Sequence, residues 1–329
     1  MVYRVETEQP VDAILCSDIH LSDKPPACRS EEPDWFTAMS RPLNELSAIQ
    51  EYLDCPVICA GDVFDKHNAS PALISFALQH LPKQFHAIPG QHDLPGHRVD
   101  MYLDSAYGVC VQAGKIKHLE ITTKHSRDGG LDEMHHGMSG WILYPFQWGQ
   151  KVRGLHGPPE KDDWSGKPYK TLAINHQFVW KPQATYPGAP ESGHCKQFQD
   201  LGYDICHFGD NHIGFHDGCV VNSGGFMRRT ISDLQRDPTI WLLCSDGSVV
   251  PHYLDTSKDV YSETDAYVAL KDEFASELHN MVAHQDCKAF YSDGSVDFKR
   301  TLLECAKSLE DETVVSIIRN VLAEAEEAL

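Results

Sequence analysis

The stretch PVICAGDVFD at residues 56–65 runs from an apolar segment directly into Gly61 and Asp62. Short apolar runs that end at a turn-forming residue predict buried β-strands. The pattern recurs at residues 13–20, where AILC precedes SDIH, and at residues 85–93, where FHAIP precedes GQHD. Amphipathic segments separate these runs. The sequence therefore predicts strand–helix units and an α/β fold with parallel strands.

Two amphipathic segments predict the first helices. One is expected to start near Ser40 and Pro42 and to carry apolar residues at helical spacing over residues 43–53. The other is expected to start at Ser70 and Pro71. Serine is a favoured N-cap residue, and proline is favoured in the first helical turn.

The rest of the chain divides into two parts by its pattern. Apolar runs predict further strands at residues 172–175, 205–208, 219–222, 240–244 and 249–253, the last two joined by a turn at Asp246-Gly247. After about Thr256 the sequence becomes helix-forming. We therefore expect an α/β domain over residues 1–256 and a helical C-terminal region over residues 257–329.

Composition and charge indicate the class of protein. The chain has 329 residues, with 28 Lys and Arg against 48 Asp and Glu, a formal net charge of −20 and 19 His. Apolar residues make up 41%, which supports a folded core and excludes a disordered chain. Imidazole and carboxylate together bind divalent metal ions, so a metal site is expected.

Membrane and secreted classes are not expected. Apolar runs stay far below the ~20 residues of a membrane helix, and the polar start at residues 1–6 lacks the features of a secretory signal. The 11 cysteines form no C-x-x-C pair, which argues against a disulfide framework and against a zinc ribbon. We therefore expect a cytoplasmic protein.

Side chains that can bind metal follow five of the predicted strands. A single aspartate at a strand end is more often a cap or turn former, but here the carboxylates occur with several histidines. Because open α/β sheets bind ligands at the carboxyl ends of their strands, these groups are expected to converge. They are Asp18, His20, Asp62, Gln91, His92, His176, Asp210 and His212.

The ordered motifs D-x-H, G-D-x-x-D, G-Q-H-D, a lone His and G-x-x-H resemble those of the calcineurin-like metallophosphoesterase superfamily over roughly residues 11–253. The resemblance implies a four-layer αββα sandwich. Residues 88–93, and residues 221–225 with Arg228, are similar to the SbcD-like DNA-repair exonucleases. SDIHL at 17–21 with EPDW at 32–35 resembles the bacteriophage forms, for which the host cytoplasm is expected.

The resemblance implies two divalent ions bridged by Asp62. Gln91 stands where the family usually has Asn, and this longer side chain would displace or weaken the second ion. Asp210 stands where the family often has His, and an anionic oxygen favours manganese or magnesium over zinc. We expect Mn(II), with Mg(II), Fe or Zn(II) as alternatives. One ion is expected at Asp18, His20, Asp62 and His212, the other at Asp62, Gln91, His176 and Asp210.

The resemblance also implies a catalytic histidine, His92, that gives a proton to the leaving oxygen. Asp93 is expected to orient His92. Each of four further candidates for substrate contact has a structural alternative. For Asp65 we favour a helix cap, and the others are alternatively surface residues. The four candidates are Asp65, His67, Arg228 and Arg229.

The implied activity is a DNA exo- or endonuclease that works with an SMC-like (SbcC-like) coiled-coil ATPase in recombination and repair. Apolar residues between Phe298 and Val321 either dock that ATPase or pack in their own core, and a homodimer is a further expectation. The alternatives are a phosphatase or nucleotide phosphodiesterase, and a catalytically silent scaffold. Because DNA phosphates are bound through Lys and Arg, the net charge of −20 predicts DNA contact that is local, centred on the metal ions and weak without a partner.

Overall fold

The computed structural model describes residues 7–120, 140–155, 169–185, 189–230 and 232–262. Within these residues the chain forms eleven strands and four α-helices. The strands are β1 (Val11–Cys16), β2 (Val57–Cys59), β3 (Phe85–Ala87), β4 (Lys117–His118), β5 (Trp141–Phe146), β6 (Lys170–His176), β7 (Ile205–Gly209), β8 (Phe215–Asp217), β9 (Val220–Asn222), β10 (Thr239–Cys244) and β11 (Val249–Tyr253). The helices are α1 (Trp35–Leu53), α2 (Pro71–His80), α3 (Ala106–Gln112) and α4 (Lys196–Gln199).

The strands form two sheets. The first has the order β11-β10-β1-β2-β3-β4, with β1 to β4 parallel and β10 antiparallel to both of its neighbours, β1 and β11. The second has the order β5-β6-β7-β9-β8, with only β8 antiparallel. Parallel strands point their carboxyl ends to one edge, and this places several strand ends side by side.

Strand β1 shows how the layers are built. Ala13 and Leu15 face the core between the two sheets, whereas Ile14 and Cys16 face the helices α1 to α3. Both faces of the first sheet are therefore buried, which explains why its strands are continuous apolar runs. The outer face of the second sheet packs against a third apolar cluster that includes Phe198 of α4. The predicted sandwich architecture is confirmed.

Helix α1 begins earlier than the sequence predicts. It starts at Trp35, after Asp34, whose carboxylate accepts hydrogen bonds from the Phe36 N–H (3.1 Å) and the Thr37 hydroxyl (2.7 Å). Pro42 was expected in the first turn but lies buried inside the helix. The prediction of a start at Ser40 is wrong because the buried apolar face already begins at Trp35 and Asp34 supplies the cap.

Among the other elements, helix α2 was predicted from the sequence and some strands were not. Helix α2 begins at Pro71 with Ser70 as its cap, as predicted, and the Leu73 N–H donates to the Ser70 hydroxyl (3.1 Å). Strands β4, β5 and β8 were not predicted. Strand β5 contains Pro145 and lies at the edge of its sheet, where proline is tolerated.

The chain divides into two compact units. One comprises Met1–Pro25 with Glu32–Val260, and the other comprises Pro26–Glu31 with Tyr261–Leu329. In the second unit the Ser262 N–H donates to the Cys28 carbonyl (2.9 Å). The predicted C-terminal helices lie outside the described residues from 263 onward, so the boundary at 256/257 stays a prediction. Within the described ranges, no helix has the length and apolar character needed to cross a bilayer.

Candidate metal centre

The five polar strand ends meet where the carboxyl edges of the two sheets come together. Backbone hydrogen bonds join the ends of β1 and β2: the Asp18 N–H donates to the Gly61 carbonyl and the His20 N–H to the Asp62 carbonyl, each at 3.0 Å. The first sheet contributes Asp18, His20, Asp62, Gln91 and His92, and the second contributes His176, Asp210 and His212. The structure thus brings all eight predicted side chains to one edge.

Unusual backbone conformations concentrate at this edge. Six non-glycine residues of the described chain have positive φ, and four of them are candidate ligands: Asp18 (52°), His20 (49°), Asp62 (53°) and Asp210 (79°). The left-handed conformation costs roughly 1–2 kcal/mol for a residue with a side chain. Such strain persists where surrounding structure fixes it and is concentrated at functional sites.

A first group of ligand atoms comes from Asp18, His20 and His212. The Nε2 atoms of His20 and His212 lie 3.2 Å apart, and each lies 3.7 Å from Asp18 Oδ1. Two imidazole nitrogens and a carboxylate oxygen that face one another are a suitable donor set for a divalent cation. The Ser17 hydroxyl donates to Asp18 Oδ2 (2.5 Å) and so orients this carboxylate. Sequence reasoning did not include Ser17, although it directly precedes Asp18.

A second group comes from Asp62 and His176. The His176 Nε2 atom lies 3.2 Å from Asp62 Oδ2. The His176 Nδ1 atom lies 2.6 Å from the Ala60 carbonyl. A carbonyl only accepts, so Nδ1 carries the hydrogen, and Nε2 is the ring nitrogen available to a metal ion beside Asp62. Nε2 is buried and makes no hydrogen bond within the described part of the chain. This is the orientation that a metal-binding histidine needs.

Gln91 and Asp210 lie on the same side of the cluster and contact each other. The Gln91 amide nitrogen donates to Asp210 Oδ1 (2.7 Å), and the Gln91 Oε1 atom is buried without a hydrogen-bond partner among the described residues. The Asp210 N–H contacts both carboxylate oxygens of Asp18 (3.2 and 3.1 Å). Rotation of the Gln91 amide by half a turn would direct Oε1, in place of the nitrogen, toward the ligand cluster. The predicted ligand role of Gln91 and Asp210 stays a prediction.

The electrostatics favour a cation at this point. Burial acts to raise the pKa of Asp62, but the imidazoles of His176, His20 and His92 outweigh it and hold that pKa below its usual value. Burial raises the pKa of Asp210. Burial also opposes charge on His176, yet the carboxylates of Asp62, Asp18 and Asp210 raise its pKa well above the usual value. Buried negative charge therefore draws positive charge into the cluster, and bound divalent ions would supply it.

The residues present fit two divalent ions. Three sets of three residues can each hold an ion, because the ligand atoms within each set lie within 4.8 Å of one another. Oxygen and imidazole donors without thiolate suit manganese, iron or zinc, and the carboxylates favour the harder ions among them. The three sets are Asp18–His20–His212, His20–Asp62–His92 and Asp18–Asp62–His176.

His92 is far more exposed than His20, the other candidate histidine of the first sheet, whose side chain is 4% exposed. The His92 side chain is 43% exposed, and its Nε2 atom lies 4.0 Å from Asp62 Oδ2. Two contacts fix the residue: its backbone N–H donates to Asp62 Oδ1 (2.9 Å), and its Nδ1 atom lies 2.8 Å from the Asp65 carbonyl. The Nδ1 atom therefore carries the hydrogen, and Nε2 faces the cluster.

Asp93 does not orient His92, contrary to the prediction. Its buried carboxylate accepts hydrogen bonds from the N–H groups of Val63 (3.1 Å), Phe64 (2.8 Å) and Gly90 (3.0 Å). Burial, with the nearby Asp62 charge, raises the pKa of Asp93 to about 7. Asp93 therefore joins the loops after β2 and β3, and the Asp65 carbonyl orients the imidazole in its place.

The prediction that Asp65 caps a helix is also wrong, because Ser70 is the N-cap of α2, the helix that follows Asp65. Asp65 Oδ1 lies 2.8 Å from Arg229 Nη2 and 3.7 Å from His20 Nδ1. Asp65 thus links an arginine to a candidate ligand. Burial opposes its charge, but Arg229 and His20 hold its pKa below the usual value.

The remaining substrate candidates differ in their surroundings. Arg228 donates from Nη2 to Asp237 Oδ1 (2.8 Å) and from Nε to the Arg236 carbonyl (2.7 Å). Both Arg228 and Arg229 are thus paired with carboxylates rather than directed freely at a substrate. The His67 carbonyl accepts from the Ala106 N–H (2.7 Å), and the substrate role predicted for the His67 side chain stays a prediction.

Two glycines allow the strand ends to approach. A Cβ atom on Gly90 would lie 2.6 Å from both Cγ and the backbone nitrogen of Asp62, and one on Gly61 would lie 2.5 Å from His176 Nδ1. Gly61 also has a φ of +102°. Both positions therefore require glycine.

Comparison with known proteins places this geometry in context. The sequence profile described as calcineurin-like phosphoesterase matches residues 13–220. The fold is similar to the calcineurin-like phosphoesterase YfkN from Bacillus subtilis, with 12% identity, 82% of this chain and 98% of that chain covered, and a TM-score of 0.39. It is also similar to a metallophosphoesterase from Sphaerobacter thermophilus, with 12% identity, 79% of this chain and 93% of that chain covered, and a TM-score of 0.32. No curated protein matches the sequence.

Proposed function

The chain belongs to the calcineurin-like phosphoesterase family, the members of which are metal-dependent hydrolases of ester bonds, and we propose that it is a dinuclear-metal phosphodiesterase that cleaves DNA. One observation carries the two-metal part of the proposal. Carboxylate and imidazole atoms from five strand ends lie 3.2–4.0 Å apart, and the buried His176 Nε2 atom among them has no hydrogen-bond partner in the described part of the chain.

Two sets of residues would hold the ions. Asp62 lies between both sets, since its Oδ2 atom approaches His20 (3.8 Å) and His176 (3.2 Å). When bound, the ions would supply Lewis-acid activation of water and neutralisation of the phosphoryl oxygens. We assign Asp18, His20, Asp62 and His212 to one ion and Asp62, Gln91, His176 and Asp210 to the other.

His92 would move the proton that the leaving group needs. Because the Asp65 carbonyl holds Nδ1–H, a proton at Nε2 faces the cluster and can pass to the leaving oxygen. The backbone N–H of His92 is fixed on Asp62 Oδ1, which keeps the ring beside the ligands. Exposure of the side chain leaves room for a substrate on its open side.

The resemblance to SbcD-like nucleases at residues 88–93 and 221–225 supports DNA as the substrate. The test is Mn(II)-dependent degradation of end-labelled duplex and single-stranded DNA beside p-nitrophenyl phosphate and bis-p-nitrophenyl phosphate. We expect cleavage of DNA and of the diester. Hydrolysis confined to the monoester would refute the phosphodiesterase assignment.

A second candidate, a nucleotide or small-molecule phosphodiesterase, has an observation in its favour. The two candidate arginines, Arg228 and Arg229, are paired with Asp237 and Asp65, and the chain carries a net charge of −20. Both features reduce the positive field that DNA binding needs. Cleavage of bis-p-nitrophenyl phosphate without cleavage of either DNA would favour this candidate.

We further propose an SMC-like ATPase as partner, on the resemblance alone. The predicted docking residues between Phe298 and Val321 lie outside the described residues. Pull-down with the ATPase, with and without residues 298–329, tests the proposal. Unchanged binding after the deletion would contradict docking through this segment, and light scattering of the purified protein would test the expected homodimer.

A further inference from the structure

A cavity of about 270 Å³ opens beside His212. Its walls come from the turn at residues 212–214, the glycine-rich segment 223–225 after β9, the loop at residues 233–238 and the hairpin β10–β11. His212 is both a wall of the cavity and a candidate metal ligand, so the cavity adjoins the metal centre and offers space to a group attached to a phosphate there.

One part of the wall is apolar and aromatic. Met227 and Trp241 are buried behind it (6% and 8% exposed), and Tyr253 is 62% exposed. The Trp241 indole N–H points away from solvent to the Ser223 carbonyl (3.4 Å). Pro238 and Pro251 complete this side. Flat aromatic groups and a thioether favour a planar ring as the occupant.

The positive and negative side chains in the cavity wall balance each other. Arg228 pairs with Asp237 (2.8 Å), and Arg236 lies 3.5 Å from Asp233. Asp233 also accepts from the N–H groups of Arg229 (3.0 Å) and Thr230 (2.9 Å). Two arginines against two aspartates leave no net positive charge, which disfavours a second phosphate as the occupant. The same side chains can still form hydrogen bonds with the edge of a neutral polar ring.

Size restricts the occupant further. Pockets for drug-sized ligands usually occupy about 300–1,000 Å³, and this cavity lies just below that range. It therefore has room for one ring system with its sugar and not for several nucleotides.

We propose that this cavity binds the nucleobase of the nucleotide whose phosphate is hydrolysed at the metal centre. The proposal rests on the proposed function, because a nucleotide ester must be the substrate. A planar, neutral, hydrogen-bonding ring with a phosphate one sugar away matches the aromatic wall, the balanced charges and the adjoining His212. The nucleotide is either the end of a DNA strand or a small nucleotide ester.

Binding of nucleosides to the full-length protein as purified tests the cavity without any hydrolysis. Adenosine and thymidine, which have no phosphate, are titrated by calorimetry, with ribose as the base-free control. We expect both nucleosides to bind and ribose not to bind. We expect Tyr253→Ala to weaken nucleoside binding about tenfold, because the base loses the exposed aromatic ring on which it stacks.

Tyr52→Ala is the matched control. Tyr52 is 65% exposed, like Tyr253, but lies on α1 and not in the cavity wall. We expect this variant to bind nucleosides as the wild type does. Equal binding of nucleosides and ribose, or equal affinity of wild type and Tyr253→Ala, would overturn the proposal.

A second arm distinguishes the two sources of the nucleobase. A short DNA strand is compared with the same strand that carries an abasic terminal residue, and adenosine monophosphate is compared with ribose 5-phosphate. If the DNA strand with its terminal base binds more tightly than the abasic strand, the cavity is assigned to strand ends. If only adenosine monophosphate and ribose 5-phosphate differ in affinity, it is assigned to small esters. No base effect in either pair overturns the proposal. If bis-p-nitrophenyl phosphate is hydrolysed in that case, the phosphodiesterase assignment stands and only the cavity assignment fails.

Discussion

His92 combines exposure with a fixed ring, and this separates it from the buried His176. His176 is buried with its Nε2 atom directed at Asp62, the arrangement of a ligand. His92 has one ring nitrogen fixed by the Asp65 carbonyl and the other 4.0 Å from Asp62. At the residue scale, this difference in position is the basis for assigning metal binding to one and proton transfer to the other.

For His92→Ala we predict loss of hydrolysis by about 10²–10⁴-fold, with metal content near that of the wild type. The reason is that a proton donor is lost while the buried ligands remain. Activity on bis-p-nitrophenyl phosphate and metal analysis are measured together, with His80→Ala on α2 as a control that retains both. A parallel loss of metal would instead make His92 a ligand.

For Asp93→Ala we predict a loss of stability rather than a selective loss of chemistry. The substitution leaves three N–H groups, those of Val63, Phe64 and Gly90, without their acceptor. The free energy of unfolding should fall by about 3–5 kcal/mol, as measured by urea denaturation. A variant of wild-type stability that had lost activity would return Asp93 to the catalytic role first predicted for it.

At the scale of elements, the first sheet was largely predictable from sequence and the contacts between distant segments were not. Short apolar runs that end in glycine and a polar ligand-type residue identify β1, β2 and β3 because both sheet faces are buried. The start of α1 was missed because Ser40 with Pro42 resembles a cap, while Asp34 provides it. The contact between Asp65 and Arg229 joins segments far apart in sequence, and no local pattern indicates it.

The cap of α1 gives a pH-dependent prediction. The hydrogen bond from the Thr37 hydroxyl, with those from the backbone, lowers the pKa of Asp34 below its usual value. A carboxyl group with a lowered pKa in the folded state stabilises the protein above its unfolded pKa, and this contribution is lost as the pH falls through the folded pKa. Relative to Asp34→Asn, wild-type stability should therefore decline below about pH 4. Urea denaturation at neutral and acidic pH measures this, and a constant difference would contradict it.

The close approach of β2 and β3 gives a second prediction at this scale. In Gly90→Ala the new Cβ atom would overlap Asp62, so the bridging carboxylate must move. We predict loss of metal binding and of activity, each at least about tenfold, measured by metal titration and diester hydrolysis. Gly154→Ala is the matched control, because its Cβ atom would make only ordinary contacts, the nearest at 3.5 Å. Metal affinity of wild-type strength in Gly90→Ala would contradict the proposed role of Asp62.

At the scale of the whole molecule, the metal centre forms where two separate sheets meet. Each sheet brings part of the ligand set, and neither carries it alone. The motif order indicates this convergence from sequence, whereas the cavity beside His212 depends on loops and a hairpin that pack only in the folded chain. The carboxylates of the cluster account for part of the net charge of −20, and bound cations would neutralise them.

The metal content of the full-length protein tests the central claim most directly. Wild type and Asp62→Ala are loaded with Mn(II), separated from free metal by gel filtration and analysed for manganese per chain, with circular dichroism to verify folding. A two-metal centre bridged by Asp62 predicts two ions in the wild type and fewer than one in the folded variant. A wild type that holds one ion or none, or a variant that keeps both, would contradict the account.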